Sequence, residues 1–262
     1  MPLLLLKLTL TPLLIGGASL AARRWGPAIG GWLVALPLTS GPILFFFALD
    51  QGPAFAADAT VGTLLGLGAI CGFCLGYLVA SPRGAGRAMA AASVGYVAVG
   101  LAVQPVTGAP FPVLVLAVVA AIAGVLRLLP VTTGGGTGRA HPAWDLPARI
   151  VVATSFVVLL TTIAPHLGPV TSGIVATFPV YVSVLAVFEQ VHGGRPGALG
   201  VLRGLLVGLF GTVAFYCVIR ALVVPAGIPV AFGIAIAVTG VIGAAALRRV
   251  RAGIEAPEPE SA

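Results

Sequence analysis

The chain has 262 residues, of which 59% are apolar and only 8% are charged, and its mean hydropathy is +1.12. Such a composition excludes a soluble domain and is typical of a polytopic membrane protein. The net charge of +7 does not indicate nucleic-acid binding, because the basic residues are spread over short loops beside apolar segments. Three cysteines in so apolar a chain predict no disulfide framework, and nothing in the sequence indicates a cofactor.

Nine apolar segments are long enough to cross about 30 Å of hydrocarbon as helices. They lie at 3–22, 30–49, 59–80, 88–104, 111–129, 149–165, 171–189, 200–222 and 230–247. The first is similar in length to a secretory signal, but its positive charges, Arg23 and Arg24, follow the apolar run instead of preceding it. We therefore expect an all-α fold of about nine transmembrane helices, with the first helix retained.

The basic residues indicate how these helices are oriented. With the N-terminus outside, all but Lys7 and Arg220 of the 14 Lys and Arg fall in cytoplasmic segments, as the positive-inside rule requires. The C-terminus is then cytoplasmic, and the glycine-rich segment 131–148 is a cytoplasmic linker. It is not a phosphate-binding loop, because it lacks the Gly-Lys-Ser/Thr ending. Residues 251–262 are predicted to form an acidic, disordered tail.

An internal repeat is visible when the chain is shifted by 142 positions. The two halves then align without a gap over 26–73, with glycines and prolines matched at constant spacing. Pro37 meets Pro179, and Gly52 meets Gly194. In a chain this apolar, chance produces several identities, but matched Gly and Pro at fixed spacing indicate a duplication.

The duplication predicts two units, a first repeat of five helices at 1–130 and a second of four helices at 149–250. Helices one to three of the chain correspond to helices six to eight. Because this offset of five helices is odd, the copies must cross the membrane in opposite directions. Many secondary transporters are built in this way, with the substrate where the repeats meet. The other interpretation is a duplicated scaffold with no transport role.

Prolines interrupt two of the predicted spans at matching positions. A proline lacks the amide hydrogen and crowds the preceding turn, and in hydrocarbon the carbonyls that lose partners must be packed in protein or line a wet cavity. Broken helices of transporters hold solutes through such groups. The substrate-binding candidates are the prolines and hydroxyl side chains at both breaks: Pro37, Thr39, Ser40, Pro42, Thr177, Pro179, Tyr181 and Ser183. The alternative is a pair of kinks whose hydroxyls bond to their own backbone.

Three ionisable side chains near the ends of the broken spans are candidates for ion coupling or gating: Asp50, Glu189 and His192. Ionisable groups inside a span are costly and usually functional. Near the interface the cost is smaller, so ordinary solvation is the alternative. The repeat places the two acids at opposite membrane faces.

Other motifs do not indicate an enzyme or a metal site. Cys71 and Cys74 lie on one face of a helix, but that helix has no acid or His to complete a soft-metal site, and cysteine is a common small core residue. No nucleophile with a base and no pair of catalytic carboxylates is visible. Small residues spaced for close helix packing occur in matching places: Gly62 with Gly66, and Gly204 with Gly208.

Each repeat resembles the small bacterial GlpM-type membrane proteins. The similarity rests on a basic loop followed by a Gly-apolar-Val-x-x-Phe/Leu-Pro pattern. This chain has Gly31-Trp32-Leu33-Val34-Ala35-Leu36-Pro37 in one half and Gly173-Ile174-Val175-Ala176-Thr177-Phe178-Pro179 in the other. The resemblance implies a duplicated and fused module of the bacterial inner membrane. It implies neither a substrate nor catalytic residues.

The sequence thus favours an inner-membrane transporter or flippase that moves a small solute or lipid by alternating access between the two broken helices. Its expected partners are the lipid bilayer and that solute or lipid, with a second copy of the chain as a possible partner. The alternative is a non-transporting scaffold or assembly factor for envelope biosynthesis.

Overall fold

The computed structural model describes residues 40–130 and 145–255, together with Pro37 and five separate residues near the N-terminus (5, 8, 9, 12 and 13). Every regular element in these ranges is helical. In chain order the α-helices are α1 (Ser40–Asp50), α2 (Pro53–Ala80), α3 (Ala85–Ala102), α4 (Phe111–Leu128), α5 (Asp145–Leu167), α6 (Pro169–Ala176), α7 (Val180–Leu222) and α8 (Ile228–Glu255). Two short 3-10 turns, Ser81–Arg83 and Gln104–Val106, follow α2 and α3.

Within these ranges, four helices are long and apolar enough to cross a membrane: Pro53–Arg83, Ala85–Val106, Phe111–Leu128 and Gly194–Leu222. They coincide with the predicted spans at 59–80, 88–104, 111–129 and 200–222, and they agree with a polytopic helical membrane protein. Span 3–22 and linker 131–148 lie largely outside the described residues. Helix α8 continues to Glu255, so its end enters the segment that the sequence predicts to be a disordered tail.

Helix α2 is the central helix of the bundle. Gly52, with a positive φ of 93°, turns the chain from α1 into α2, and Pro53 occupies the first helical position, where a missing amide hydrogen is harmless. Of its most apolar stretch, 72% is buried inside the protein. Because α2 is apolar on all sides, its neighbours can cover the whole helix.

Glycines allow two helices to approach the backbone of α2. A Cβ added at Gly62 would overlap the carbonyl oxygen of Val170 in α6, and one added at Gly66 would overlap Oγ1 of Thr177. Further along α2, a Cβ at Gly72 would lie 2.5 Å from the carbonyl oxygen of Gly95 in α3. The prediction that Gly62 and Gly66 serve close packing is confirmed.

The predicted interruption near Pro179 is also confirmed. Helix α6 ends at Ala176 and α7 begins at Val180, so three residues separate two helical segments within the predicted span 171–189. Helix α7 bends again at Gly194, whose φ of 78° and ψ of 179° are not helical. We call the parts of α7 before and after Gly194 its first and second arms.

Contacts to α2 give the direction of each arm. The first arm runs alongside the end of α2, because Tyr77 reaches Ala186 and Ser81 reaches Gln190. The second arm runs the opposite way, since Arg220 near its end binds the carbonyl oxygen of Ala57 near the start of α2. Helix α1 leads from the interior toward that same start of α2. Helix α1 and the first arm of α7 therefore extend from the interior toward opposite ends of the bundle.

Candidate functional site

Proline at position 179 determines the hydrogen bonding of the break. The carbonyl of Val175 would normally accept from the amide four residues later, which Pro179 does not have. The amide of Phe178 donates to Val175 instead, at 3.1 Å. That shift removes the helical donor of the Ile174 carbonyl, which instead accepts from the Thr177 amide at 3.1 Å, as in a 3-10 turn.

Two hydroxyl groups also lie within hydrogen-bond distance of the Ile174 carbonyl oxygen. The Oγ1 of Thr177 lies 2.7 Å from this oxygen, and the Tyr96 hydroxyl, from helix α3, lies 2.6 Å from it. The two hydroxyl oxygens are 2.9 Å apart. The Tyr96 ring also packs edge-on against Phe178, with ring centroids 5.1 Å apart. Both hydroxyl side chains are buried, so the break is a small polar cluster inside an apolar bundle.

The cluster lies at half the length of α2, since Thr177 packs against Gly66, the middle of that helix. Pro179 is buried as well. After the break, Ser183 donates from Oγ to the carbonyl oxygen of Pro179 at 2.7 Å. The side chain of Tyr181 is outside the described part of the structure.

The start of α1 is the second candidate segment. Helix α1 begins at Ser40, and the Gly41 amide donates to the carbonyl oxygen of Pro37 at 2.7 Å. Tyr216, from the second arm of α7, donates its hydroxyl hydrogen to Oγ of Ser40 at 2.6 Å. Pro42 and Ser40 are buried, whereas Pro37 is half-buried. Thr39 and the upstream part of span 30–49 lie outside the described residues.

The structure brings the two candidate segments into one neighbourhood, because α1 and α6 contact each other. It does not bring the two acids together. Asp50 is exposed at the end of α1, whereas Glu189 is half-buried near the Gly194 turn and its carboxylate lies beside Gly197. The side chain of His192 is not among those described.

The Gly194 turn is fastened to the end of α2 through Ser81. The Ser81 carbonyl accepts from Nε2 of Gln190 at 2.8 Å, and its Oγ accepts from Nε of Arg195 at 2.8 Å. The same Oγ donates to the carbonyl oxygen of Leu78 at 2.9 Å. Ser81 is 2% exposed, and these contacts make it the junction of three polar groups.

Sequence reasoning named Tyr181 but missed the other three tyrosines. Tyr96 and Tyr216 each bind one of the two candidate segments, and Tyr77 donates to the carbonyl oxygen of Ala186 at 3.1 Å. The sequence contains a signal for them, because it has only four tyrosines and a tyrosine hydroxyl buried in an apolar helix needs a partner. The identity of that partner depends on tertiary packing.

The described residues contain no group of three or more His, Cys, Asp and Glu placed to hold a metal ion. Cys71 and Cys74 are buried free thiols. At the two candidate segments, the groups available for chemistry are therefore hydroxyls, peptide carbonyls and aromatic rings. This set can bind neutral or weakly polar groups by hydrogen bonds.

Fold and site together define a helical membrane protein in which an interrupted helix, α6 with α7, packs against the middle of the central helix α2. Comparison of the chain with protein-family models, with curated proteins and with solved structures found no match.

Proposed function

We propose that the protein is a secondary transporter or flippase that moves a small solute or lipid across the membrane by alternating access. The observation that carries this proposal is the buried break between α6 and α7 at half the length of α2, beside the start of α1. Helices interrupted at mid-membrane are the usual solute-binding elements of such transporters. The proposed site consists of the two segments at Pro37–Pro42 and Thr177–Ser183.

An inverted repeat is part of the proposal, and three features support it. The matched residues Gly52 and Gly194 both have positive φ, 93° and 78°, and each turns the chain from a shorter helical segment into a longer one. The two longer segments are antiparallel, as are the two shorter ones. A repeat of opposite orientation produces this geometry, and rocking of one repeat against the other would expose the site alternately to the two sides.

The polar groups at the site favour a particular substrate class. The described side chains at both segments are uncharged, and a multiply charged solute would find no neutralising partner there. We therefore infer a neutral polar solute or a lipid. Catalysis is not part of the proposal, since a hydroxyl and carbonyl cluster without an adjacent base does not activate a nucleophile.

The proposed location is the bacterial inner membrane, with the N-terminus outside and the C-terminus in the cytoplasm. Exposed arginines at one end of the bundle support this orientation by the positive-inside rule. These arginines are Arg83, Arg87, Arg127 and Arg195. The bilayer is the first partner of the protein, and a homodimer is compatible with the proposal.

Transport in proteoliposomes tests the proposal. The full chain is reconstituted and assayed against a panel of small anions, neutral sugars and fluorescent lipids. Thr177→Val and Ser40→Ala should reduce the uptake of the transported compound, because each removes a hydroxyl from the proposed site. Glu189→Gln tests the coupling role separately and should alter the dependence of uptake on an imposed pH gradient.

Thr162→Val is the matched control. Its hydroxyl is exposed on α5 and bonds to the carbonyl oxygen of Val158 within the same helix, so uptake should not change. Equal uptake by the Thr177, Ser40 and Thr162 variants would contradict the proposed site.

A scaffold or assembly factor is the second candidate, and one observation favours it. Thr177, Ser183 and Ser40 are all hydrogen-bonded within the protein, as in a kink that neighbouring helices repair. A scaffold predicts no uptake of any compound in the panel, together with normal folding of the reconstituted protein.

A further inference from the structure

An open groove lies on the bundle away from the two breaks, between α2, α3 and α4. Its volume is about 580 Å³, and its walls are almost entirely apolar. Gly68, Gly72 and Leu75 form the α2 side, and Gly124 is on the α4 side. The volume falls within the roughly 300–1,000 Å³ of typical small-molecule sites.

Glycine creates this groove. A Cβ added at Gly68 or at Gly124 would meet nothing within 4 Å, so both positions border free space. Gly72 differs, because its added Cβ would contact Gly95 of α3. The groove is therefore an open depression on the surface of the bundle, next to the close contact of α2 with α3.

Positive charge lies at one end of the groove. Arg127, in the last turn of α4, lines the groove and is exposed. Arg203 lies beside it, because its Nη1 donates to the carbonyl oxygens of Leu126 at 3.0 Å and Leu129 at 2.9 Å. Among the described residues, no carboxylate is paired with either arginine. An anionic group at this end of the groove would be attracted to the Arg127 guanidinium, and Arg203 adds a second positive charge at the same end of α4.

We propose that the groove binds one acyl chain of an anionic phospholipid, with the lipid phosphate at Arg127. The apolar walls match the chain, and Arg127 matches the headgroup. Basic pockets between membrane helices bind anionic headgroups by the same combination. The bilayer supplies the ligand directly, because α3 and α4 expose much of their apolar surface and the groove opens between them.

A second copy of the chain fits this groove less well. A twofold interface brings the same patch of both subunits together, so two concave surfaces would face each other. Arg127 and Arg203 of the two copies would also be close, and like charges in an apolar interface repel. The lipid is therefore the occupant that both shape and charge favour. This inference is independent of whether the protein transports a solute.

Lipid binding by the purified full chain tests the proposal. The protein in dodecyl maltoside is titrated with dioleoyl phosphatidylglycerol or with dioleoyl phosphatidylcholine, and bound lipid is counted by native mass spectrometry. We expect the wild type to prefer phosphatidylglycerol. Arg127→Gln should weaken phosphatidylglycerol binding about fivefold, the factor for about 1 kcal/mol per basic residue near an anionic surface. Arg87→Gln, which removes an exposed arginine at the same end of the bundle that does not line the groove, is the control and should weaken binding less than Arg127→Gln does.

Filling the groove provides the second test. Gly124→Leu places a side chain in the free space and should weaken binding of phosphatidylglycerol by about tenfold or more. Gly233→Leu is its control, because Gly233 lies on α8, is exposed and also has nothing within 4 Å of an added Cβ. Gly68→Leu repeats the test from the opposite wall if Gly124→Leu does not fold.

Three outcomes would overturn the proposal. The first is equal wild-type binding of the two lipids, and the second is unchanged binding in Gly124→Leu and Gly68→Leu. The third is a change from dimer to monomer in the groove-filling variants without loss of lipid selectivity, which would assign the groove to a second copy of the chain.

Discussion

Helix α2 and the second arm of α7 begin alike and end in different surroundings. Each follows a glycine of positive φ and has a proline near its start; α2 has 28 residues, and the stretch from Gly194 to Leu222 has 29. Yet 72% of the most apolar stretch of α2 is buried, against 50% in α7. Gly62 of α2 touches the α6 backbone, whereas an added Cβ at its sequence equivalent, Gly204, meets nothing within 4 Å. Similar sequences thus produce similar helices, but the neighbouring helices decide at which positions close packing requires a glycine.

The largest expected effect comes from this glycine pair. Gly62→Ala should destabilise the protein by about 3 kcal/mol or more, because its Cβ overlaps the Val170 carbonyl and α6 must move away. Gly204→Ala should instead stabilise by up to about 1 kcal/mol, since alanine favours a helix and the space is free. Unfolding in dodecyl sulfate titrations measures both, and changes of the same sign would refute the comparison.

The second largest effect is expected when the tyrosine that binds each candidate segment is replaced, and its size should differ between the two segments. Tyr96→Phe removes a donor from the buried Ile174 carbonyl and should cost about 1–3 kcal/mol of unfolding free energy. Tyr216→Phe removes the donor to the Ser40 hydroxyl oxygen and leaves no peptide carbonyl without a partner, so the cost should be at most about 1 kcal/mol. The same titrations give the two values. A larger cost for Tyr216→Phe would mean that the start of α1 depends more on its tyrosine than the break does.

The matched turns should respond equally. Gly52→Ala and Gly194→Ala place a Cβ on a left-handed backbone, which costs about 1–2 kcal/mol. Gly233→Ala, in a regular helix with free space, is the control and should be neutral or stabilising. Thermal unfolding in detergent compares the three variants. A turn that tolerates alanine would show that its positive φ is not required.

The smallest effect is expected at the end of the second arm. Arg220 lies 3.7 Å from the exposed Asp58 and 5.0 Å from the centre of the Phe111 ring, and it donates to the Ala57 carbonyl at 2.8 Å. Exposed ion pairs contribute little, so Arg220→Gln should cost under about 1 kcal/mol. The Asp58→Asn variant should cost less still, and its effect should vanish at high salt. An undiminished effect in high salt would assign the interaction to the ring and the carbonyl.

Much of the fold could be predicted from the sequence because membrane helices obey simple rules. Apolar length locates the four long spans, and the missing amide hydrogen of Pro179 locates the break within one residue of the observed end of the interruption. Such local effects need no knowledge of neighbours. The close packing at Gly62 and Gly66 follows from spacing alone, but Gly204 shows that the same spacing does not guarantee a partner.

The site was less predictable because its hydrogen bonds connect distant parts of the chain. The hydroxyls of Thr177 and Ser40 can be picked out in the sequence because they lie near prolines, but their tyrosine partners are 81 and 176 residues away. Nothing local distinguishes a tyrosine that satisfies a broken helix from one at a membrane surface. The proposed lipid groove has the same origin, since it combines glycines of α2 and α4 with Val99 of α3 and Arg127 of α4.

Ser81 limits how the protein can move. Gln190 in the first arm of α7 and Arg195 in the second arm both bind Ser81 at the end of α2. These hydrogen bonds hold the two arms and the end of α2 together at the Gly194 turn. A motion that separated the Gly194 turn from the end of α2 would break both of these hydrogen bonds at once. Because α2 belongs to the first repeat and α7 to the second, the proposed rocking of the repeats would have to break these hydrogen bonds or carry the end of α2 along with α7.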